Sequence, residues 1–187
     1  MVFVAGIFSS PNIECLPAKA DIRRFKESLV MRILFVCLGN ICRSPMAEGI
    51  MKSLARKNNL DWYIDSAATE SYHIGAMPDR RAIATCKRHG IDIDDQRARK
   101  LTASDLESFD LIYALADEVM QEILHDHKAA ADNRKLRLLL DELFPGEQRS
   151  VPDPYYGNEE GFEPVFQLMN KGCEAVLHKY GAAGRQA

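Results

Sequence analysis

The stretch Cys37-Leu38-Gly39-Asn40-Ile41-Cys42-Arg43-Ser44-Pro45 stands between an apolar run and a helical repeat, and this junction constrains the fold more than any other part of the chain. Arg32 through Val36 reads RILFV, with the continuous apolar run Ile33 to Val36 expected of a parallel strand buried on both faces. Beyond the loop, Ala47, Ile50, Met51, Leu54 and Ala55 recur at i, i+3, i+4, i+7 and i+8, the stripe of an amphipathic helix. Ser44 is a favourable N-cap, and Pro45 suits the first helical position. Residues 37–43 are therefore a strand-to-helix loop.

Such a loop has chemical consequences. Backbone N–H groups and the positive end of the helix dipole converge there, which makes a site for an anion. Gly39 permits the backbone angles of a tight nest, and Arg43 adds a planar fork suited to a phosphate-like oxyanion. A lone cysteine usually only packs. One at a helix N-terminus beside an arginine is activated toward attack, so Cys37 is expected to be a nucleophile.

The remainder of the chain reads as alternating strands and helices. Residues 62–68 (WYIDSAA) form a second strand after the break at Asn58-Asn59. Pro78 and Asp79 open a helix through His89, with Gly90 placed for a left-handed cap. Residues 109–115 (FDLIYAL) form a third buried strand, a helix follows from Asp117 to about His127, and residues 136–140 (LRLLL) suit a fourth strand. Phe162, Val165, Phe166, Met169, Cys173, Val176, Leu177 and Tyr180 then make one long helical stripe, with Pro164 in its first turn. The expected fold is α/β: a doubly wound, four-stranded parallel sheet with helices on both faces and the anion loop between the first strand and first helix.

Composition narrows the functional classes. A chain of 187 residues, 47% hydrophobic and 27% charged, has the make-up of one ordinary globular domain. Its net charge of −3 offers no general attraction to nucleic acid or to an anionic membrane, and no apolar run approaches the ~18 residues of a membrane helix. The five cysteines (Cys15, Cys37, Cys42, Cys86, Cys173) lack the spacing of a disulfide framework or a zinc site, which favours a reducing cytoplasm. Cys86 and Cys173 read as core. His125 and His127 point to different faces of a helix, so no metal or other cofactor is expected.

The segment Cys37 to Pro45, with Asp153-Pro154-Tyr155-Tyr156-Gly157 near the C-terminus, resembles the phosphate loop and acid segment of the low-molecular-weight protein tyrosine phosphatases. The resemblance covers Met31 to about Tyr180 and implies a phosphatase domain over residues 31–187. Residues 1–30 lie outside it. They are expected to precede a natural start at Met31; a disordered tail or an added helix over residues 22–30 are the alternatives. By family position, Cys37 attacks phosphorus. Arg43 and the loop residues Leu38, Gly39, Asn40, Ile41, Cys42 and Ser44 hold the phosphoryl oxygens, and Asp153 protonates the leaving oxygen. Asn40, Ser44, Ser66 and His89 match a network that orients the loop, and Asp117 an acidic position that orients Arg43. Tyr72, Tyr155 and Tyr156 match aromatic walls of the substrate cleft. Cys42 is placed to form a reversible disulfide with an oxidised Cys37.

The implied substrate is a phosphotyrosine-containing protein or a small aryl phosphate, hydrolysed by a cytoplasmic monomer or weak dimer. Two other enzymes share the loop. Related arsenate reductases need two further cysteines, which residues 111–117 lack. Protein arginine phosphatases tend to carry Thr where this chain has Ile41. A catalytically silent phospho-binding module is a different class, and the presence of Cys37, Arg43 and Asp153 together disfavours it.

Overall fold

The first strand is the centre of the molecule and alternates its side chains between two cores. The structure, a computed structural model, describes residues 30–128 and 134–181. The expectations for residues 1–29, Cys15 included, therefore fall outside the described residues. In β1 (Arg32–Cys37), Ile33, Phe35 and Cys37 face one core while Leu34 and Val36 face the other. The first core is closed by α1 (Arg43–Lys57), α2 (Arg80–Arg88) and α5 (Phe162–Tyr180). The second is closed by α3 (Ala103–Ser108) and α4 (Asp117–Asp126). That division makes the sheet doubly wound.

The strands β2 (Tyr63–Ala68), β3 (Leu111–Ala114) and β4 (Leu136–Leu138) complete a parallel sheet in the order β2-β1-β3-β4. The chain leaves β1 for β2 on one side and returns to β3 on the other, so the connections after β1 and β3 diverge and open a crevice at the carboxyl ends of the strands. Backbone hydrogen bonds gather three loops around it. Thr69 and Glu70 donate to the carbonyls of Cys37 and Leu38, which fixes the loop after β2. Val151 donates to Leu115 at 2.7 Å, which brings the segment before Asp153 to the end of β3.

Several element ends differ from expectation, each for a local reason. α1 begins at Arg43 with Cys42 in the N-cap position, and Ser44 caps nothing because its hydroxyl is engaged with Cys37. The strand expected to reach Leu140 ends at Leu138 and tightens into a 3₁₀ turn over Leu139–Glu142. The short α3 carries little periodic signal; its start is a capping box in which Thr102 and Asp105 exchange hydrogen bonds. Gly90, with φ 71°, takes the left-handed conformation expected after α2.

Gly49 marks where α1 lies closest to the connection that follows α2. A Cβ there would sit 2.5 Å from Ile93 Cγ2 and 3.0 Å from Ile91 Cγ2, both on stiff branched carbons. Alanine gains ~1 kcal/mol of helix propensity, but overpacking costs ~1–3 kcal/mol. Gly49→Ala should therefore lower the urea midpoint. Ile93→Ala should cost less in the Gly49→Ala protein than in wild type, and additive losses would mean that the contact relaxes freely.

Candidate active site

Cys37 closes β1 and is buried, and its sulfur has two hydrogen-bonding neighbours, one in the loop that follows and one in the first turn of α1. Ser44 Oγ lies 3.0 Å from Cys37 Sγ, and the Asn40 amide N–H donates to the same sulfur at 3.3 Å. Asn40 adopts φ 54°, a left-handed turn that a short polar side chain tolerates. Its side-chain amide is fully used. Oδ1 accepts the Arg99 backbone N–H at 3.0 Å, which leaves Nδ2 to donate to Ser44 Oγ and Ser66 Oγ, each at 2.8 Å. The Ser66 hydroxyl donates in turn to Glu48 Oε2 at 2.6 Å. The Ser44 proton then has two acceptors in reach, the Cys37 sulfur and the Ala67 carbonyl at 3.5 Å. Ser66 is thus directed away from the sulfur, onto Glu48, and of the two hydroxyls only Ser44 can donate to Cys37.

Two ionisable groups beside the loop are held in their neutral direction. Burial raises the Glu48 carboxyl above its ordinary value, although hydrogen bonds from Lys52 and Ser66 pull the other way. Burial, followed by the negative charge of Asp79, pushes the Cys42 thiol well up. Cys42 is therefore a thiol at neutral pH, which slows any attack on an oxidised Cys37.

Arg43, 4% exposed, is the first residue of α1. Its Nη1 donates to the Val151 carbonyl at 3.2 Å, and its Nη2 meets Asp153 Oδ2 at 2.9 Å. Asp153 is in turn shaped by its own turn, since Oδ1 accepts the Tyr155 N–H at 3.0 Å. A cavity of ≈ 160 Å³ opens above Cys37. Leu38, Gly39, Ile41, Cys42 and Arg43 form its floor with Cys37, while Tyr72, His73, Asp153, Tyr155 and Tyr156 form its walls. The volume is about that of an apolar cavity that takes one benzene ring. Among the described residues, no group of three or more His, Cys, Asp or Glu side chains is arranged to hold a metal ion.

Two of the expected residues lie elsewhere. His89, at the C-terminal end of α2, stacks on Phe166 with ring centroids 4.1 Å apart and meets Glu163 at 2.8 Å. The C-terminus of a helix turns it toward α5, and Glu48 is the group that ends the Ser66 branch of the network. Asp117 opens α4, receives a hydrogen bond from Gln121 and gives its amide to Ser150; Arg43 is oriented by Val151 and Asp153 instead. Three residues escaped the sequence reading. Glu48 left a trace as a carboxylate inside an apolar stripe. His73 lies next to Tyr72 and packs on Gly39, where a Cβ would come within 3.0 Å of its ring. Arg81 follows the expected helix start at Asp79.

The sheet order, with Cys37 seated where the first strand gives way to its helix and Arg43 beside it, defines a class: doubly wound α/β proteins with an anion-binding loop at the carboxyl end of the first strand. Comparison with known proteins narrows it. The family profile described as low molecular weight phosphotyrosine protein phosphatase matches residues 32–185. A protein of that name from Gallus gallus is 39% identical over 152 residues, 80% of this chain and 96% of its own. The crystal structure of YfkJ from Bacillus subtilis aligns with a TM-score of 0.76 at 38% identity, covering 82% of this chain and 96% of that one. A Drosophila arginine phosphatase structure aligns at 0.75 and 35% identity, covering 80% and 98%. The chain belongs to the low molecular weight phosphotyrosine protein phosphatase family.

Two measurements probe the loop. Asn40→Ala removes the network and leaves a strained φ, whereas Asn40→Gly removes only the network. The glycine protein should be more stable by ~1 kcal/mol, yet both should fall about tenfold or more in kcat/KM. Restored activity in the glycine protein would show that strain, not hydrogen bonding, limits the alanine protein. Glu48 tests the buried end. A carboxyl raised by folding contributes stability that is present below its unfolded value, 4.5, and is lost as pH rises through its folded value. The melting temperature of wild type minus that of Glu48→Gln should therefore decline as pH increases from 5 to 8. A difference that grows with pH would mean that Lys52 and Ser66 outweigh burial.

Proposed function

We propose that residues 31–187 hydrolyse aryl phosphate monoesters, phosphotyrosine in proteins above all, through a phosphocysteine intermediate. The observation that carries this reading is the Cys37 sulfur, which receives the Asn40 amide and faces the Ser44 hydroxyl at the floor of a cavity walled by Asp153 and three tyrosines. Both groups can donate to negative charge that develops on the sulfur as it reacts, and the positive end of the α1 dipole favours the same charge. Cys37 Sγ attacks phosphorus in line, and the phosphoryl oxygens are held by Arg43 and the loop amides. As the P–O bond breaks, Asp153 gives its proton to the leaving oxygen. Water then attacks the phosphocysteine and yields a proton to the Asp153 carboxylate. The P–S bond breaks, inorganic phosphate leaves, and the thiolate is restored.

Substrate class follows from the walls. Tyr72 and Tyr156 are 75% and 90% exposed, so they offer apolar surface that an entering ring covers. Ile41, on the floor, offers no hydroxyl to a guanidinium, which favours an aryl phosphate over phosphoarginine. Arginine phosphatase activity remains the second reading because a Drosophila arginine phosphatase is among the similar structures.

The test is phosphate release in EDTA from phosphotyrosine, phosphoserine and phosphoarginine peptides. Release from phosphotyrosine alone is expected, and release from phosphoarginine alone would reverse the reading of Ile41. Cys37→Ser should abolish turnover while retaining affinity for inorganic phosphate. Asp153→Ala should slow esters of poorly acidic alcohols by about 10²–10⁴-fold, the usual contribution of a general acid. Comparable turnover by Cys37→Ser would remove Cys37 from the mechanism.

A further inference from the structure

Arg81 is tied to both halves of the site without lining the cavity. Its Nε and Nη2 grip the Asp79 carboxylate at 2.9 and 2.7 Å, and the Asp79 backbone N–H donates to the Ile41 carbonyl of the phosphate loop at 2.8 Å. The other side of the guanidinium faces the segment after Asp153. Nη1 donates to the Gly157 carbonyl at 2.8 Å and Nη2 to the Tyr155 carbonyl at 3.1 Å. The planar group also lies 4.7 Å from the Phe162 ring centroid, so packing against α5 restricts it further. Arg81 thus bridges the phosphate loop and the acid turn.

The bridge matters because Arg43, which also joins the two segments, has a second duty. Its Nη2 meets Asp153, and its donors are also those that a phosphoryl group requires. Substrate must compete for them, and once it has them the direct tie to Asp153 is weakened. The hold of Arg81 on Tyr155 and Gly157 involves no atom that substrate needs. It reaches Asp153 through one residue, since the Tyr155 N–H donates to Asp153 Oδ1 at 3.0 Å while the Tyr155 carbonyl accepts from Arg81.

We propose that Arg81 is a positioning residue for the Asp153 carboxyl, holding the acid turn against the phosphate loop while Arg43 is occupied by the phosphoryl group. The proposal rests on the reading of Asp153 as the acid. Its signature is selective. A misplaced acid slows bond cleavage when the leaving oxygen needs a proton, but not when the leaving group is already stable as an anion.

The experiment compares kcat/KM for phenyl phosphate and 2,4-dinitrophenyl phosphate, with inhibition by inorganic phosphate as the control for the loop. The proteins are wild type, Arg81→Ala, Arg81→Lys, Asp153→Ala and the double variant Arg81→Ala/Asp153→Ala. For Arg81→Ala, phenyl phosphate should fall about tenfold or more, 2,4-dinitrophenyl phosphate less than about threefold, and phosphate inhibition should stay within about twofold. Arg81→Lys, which can reach one carbonyl, should recover part of the loss. In the Asp153→Ala background, Arg81→Ala should have no further effect. Equal slowing of both esters, weaker phosphate inhibition or additive losses would overturn the proposal and leave Arg81 a general structural residue. If Asp153→Ala itself slows both esters equally, the acid assignment fails. If it discriminates between them and Arg81→Ala does not, only the role of Arg81 fails.

Discussion

Asn40 joins segments that are remote in sequence, and the phosphate loop depends on that junction. A left-handed residue costs ~1 kcal/mol, and a strand-to-helix turn this tight has few ordinary backbone partners to offset it. The side-chain amide supplies them. One acceptor and two donors are committed to Arg99, Ser44 and Ser66, so the amide has a single orientation and both hydroxyl oxygens accept from it. The junction extends outward. Arg99 is itself fixed by Asp65 and by Asp105, and Asp105 caps α3 with Thr102. A helix of one and a half turns on the far side of the sheet therefore helps to set the angle of the loop that holds the reactive sulfur.

The two cysteines of that loop show how finely its polarity is divided. Cys37 receives an amide and faces a hydroxyl, whereas Cys42 is buried beside the Asp79 carboxylate and stays protonated. Burying Glu48 beneath the loop is unfavourable in itself, as the upward shift of its carboxyl records. Its return is directional. By accepting a hydrogen bond from Ser66, Glu48 leaves the Ser66 oxygen free to accept from Asn40, and the Asn40 amide is then locked with its second donor on Ser44. A neutral hydrogen-bond donor in place of Glu48 would reverse that sense at the first link.

The pattern of the fold was legible because each strand and helix carries its own periodicity. RILFV, the stripe of α1 and the long stripe of α5 each encode burial locally, and the loop between β1 and α1 follows from them. Residues whose role depends on meeting a distant partner were not legible from spacing. Asp153 was reachable only through resemblance, because nothing local relates it to Arg43. His89 and Asp117 were drawn into the site by the same resemblance, yet the first is turned toward Glu163 and the second toward Gln121. Arg81 left no local mark as a bridge, since its partners at Tyr155 and Gly157 are backbone carbonyls that any sequence provides.

In the proposed reaction, a preference for an aromatic ester would come from where apolar surface is left exposed. A phosphate held by the loop and Arg43 gains the same contacts from any monoester, so the floor alone cannot separate phosphotyrosine from phosphoserine. The walls can. Tyr72, Tyr155 and Tyr156 stand at the mouth, with Tyr155 and Tyr156 edge to face at 5.1 Å and His73 tilted toward Tyr155 at 6.4 Å. A phenyl ring rising from the phosphate covers these faces at ~25 cal/mol per Å², an upper bound on what it contributes. A serine side chain is too short to reach them, and its alkoxide also makes a heavier demand on the acid. In the proposed reaction, ring contact and leaving-group acidity therefore discriminate in the same direction, provided that the turn carrying Asp153 and Tyr155 stays where its hydrogen bonds to Arg43 and Arg81 place it.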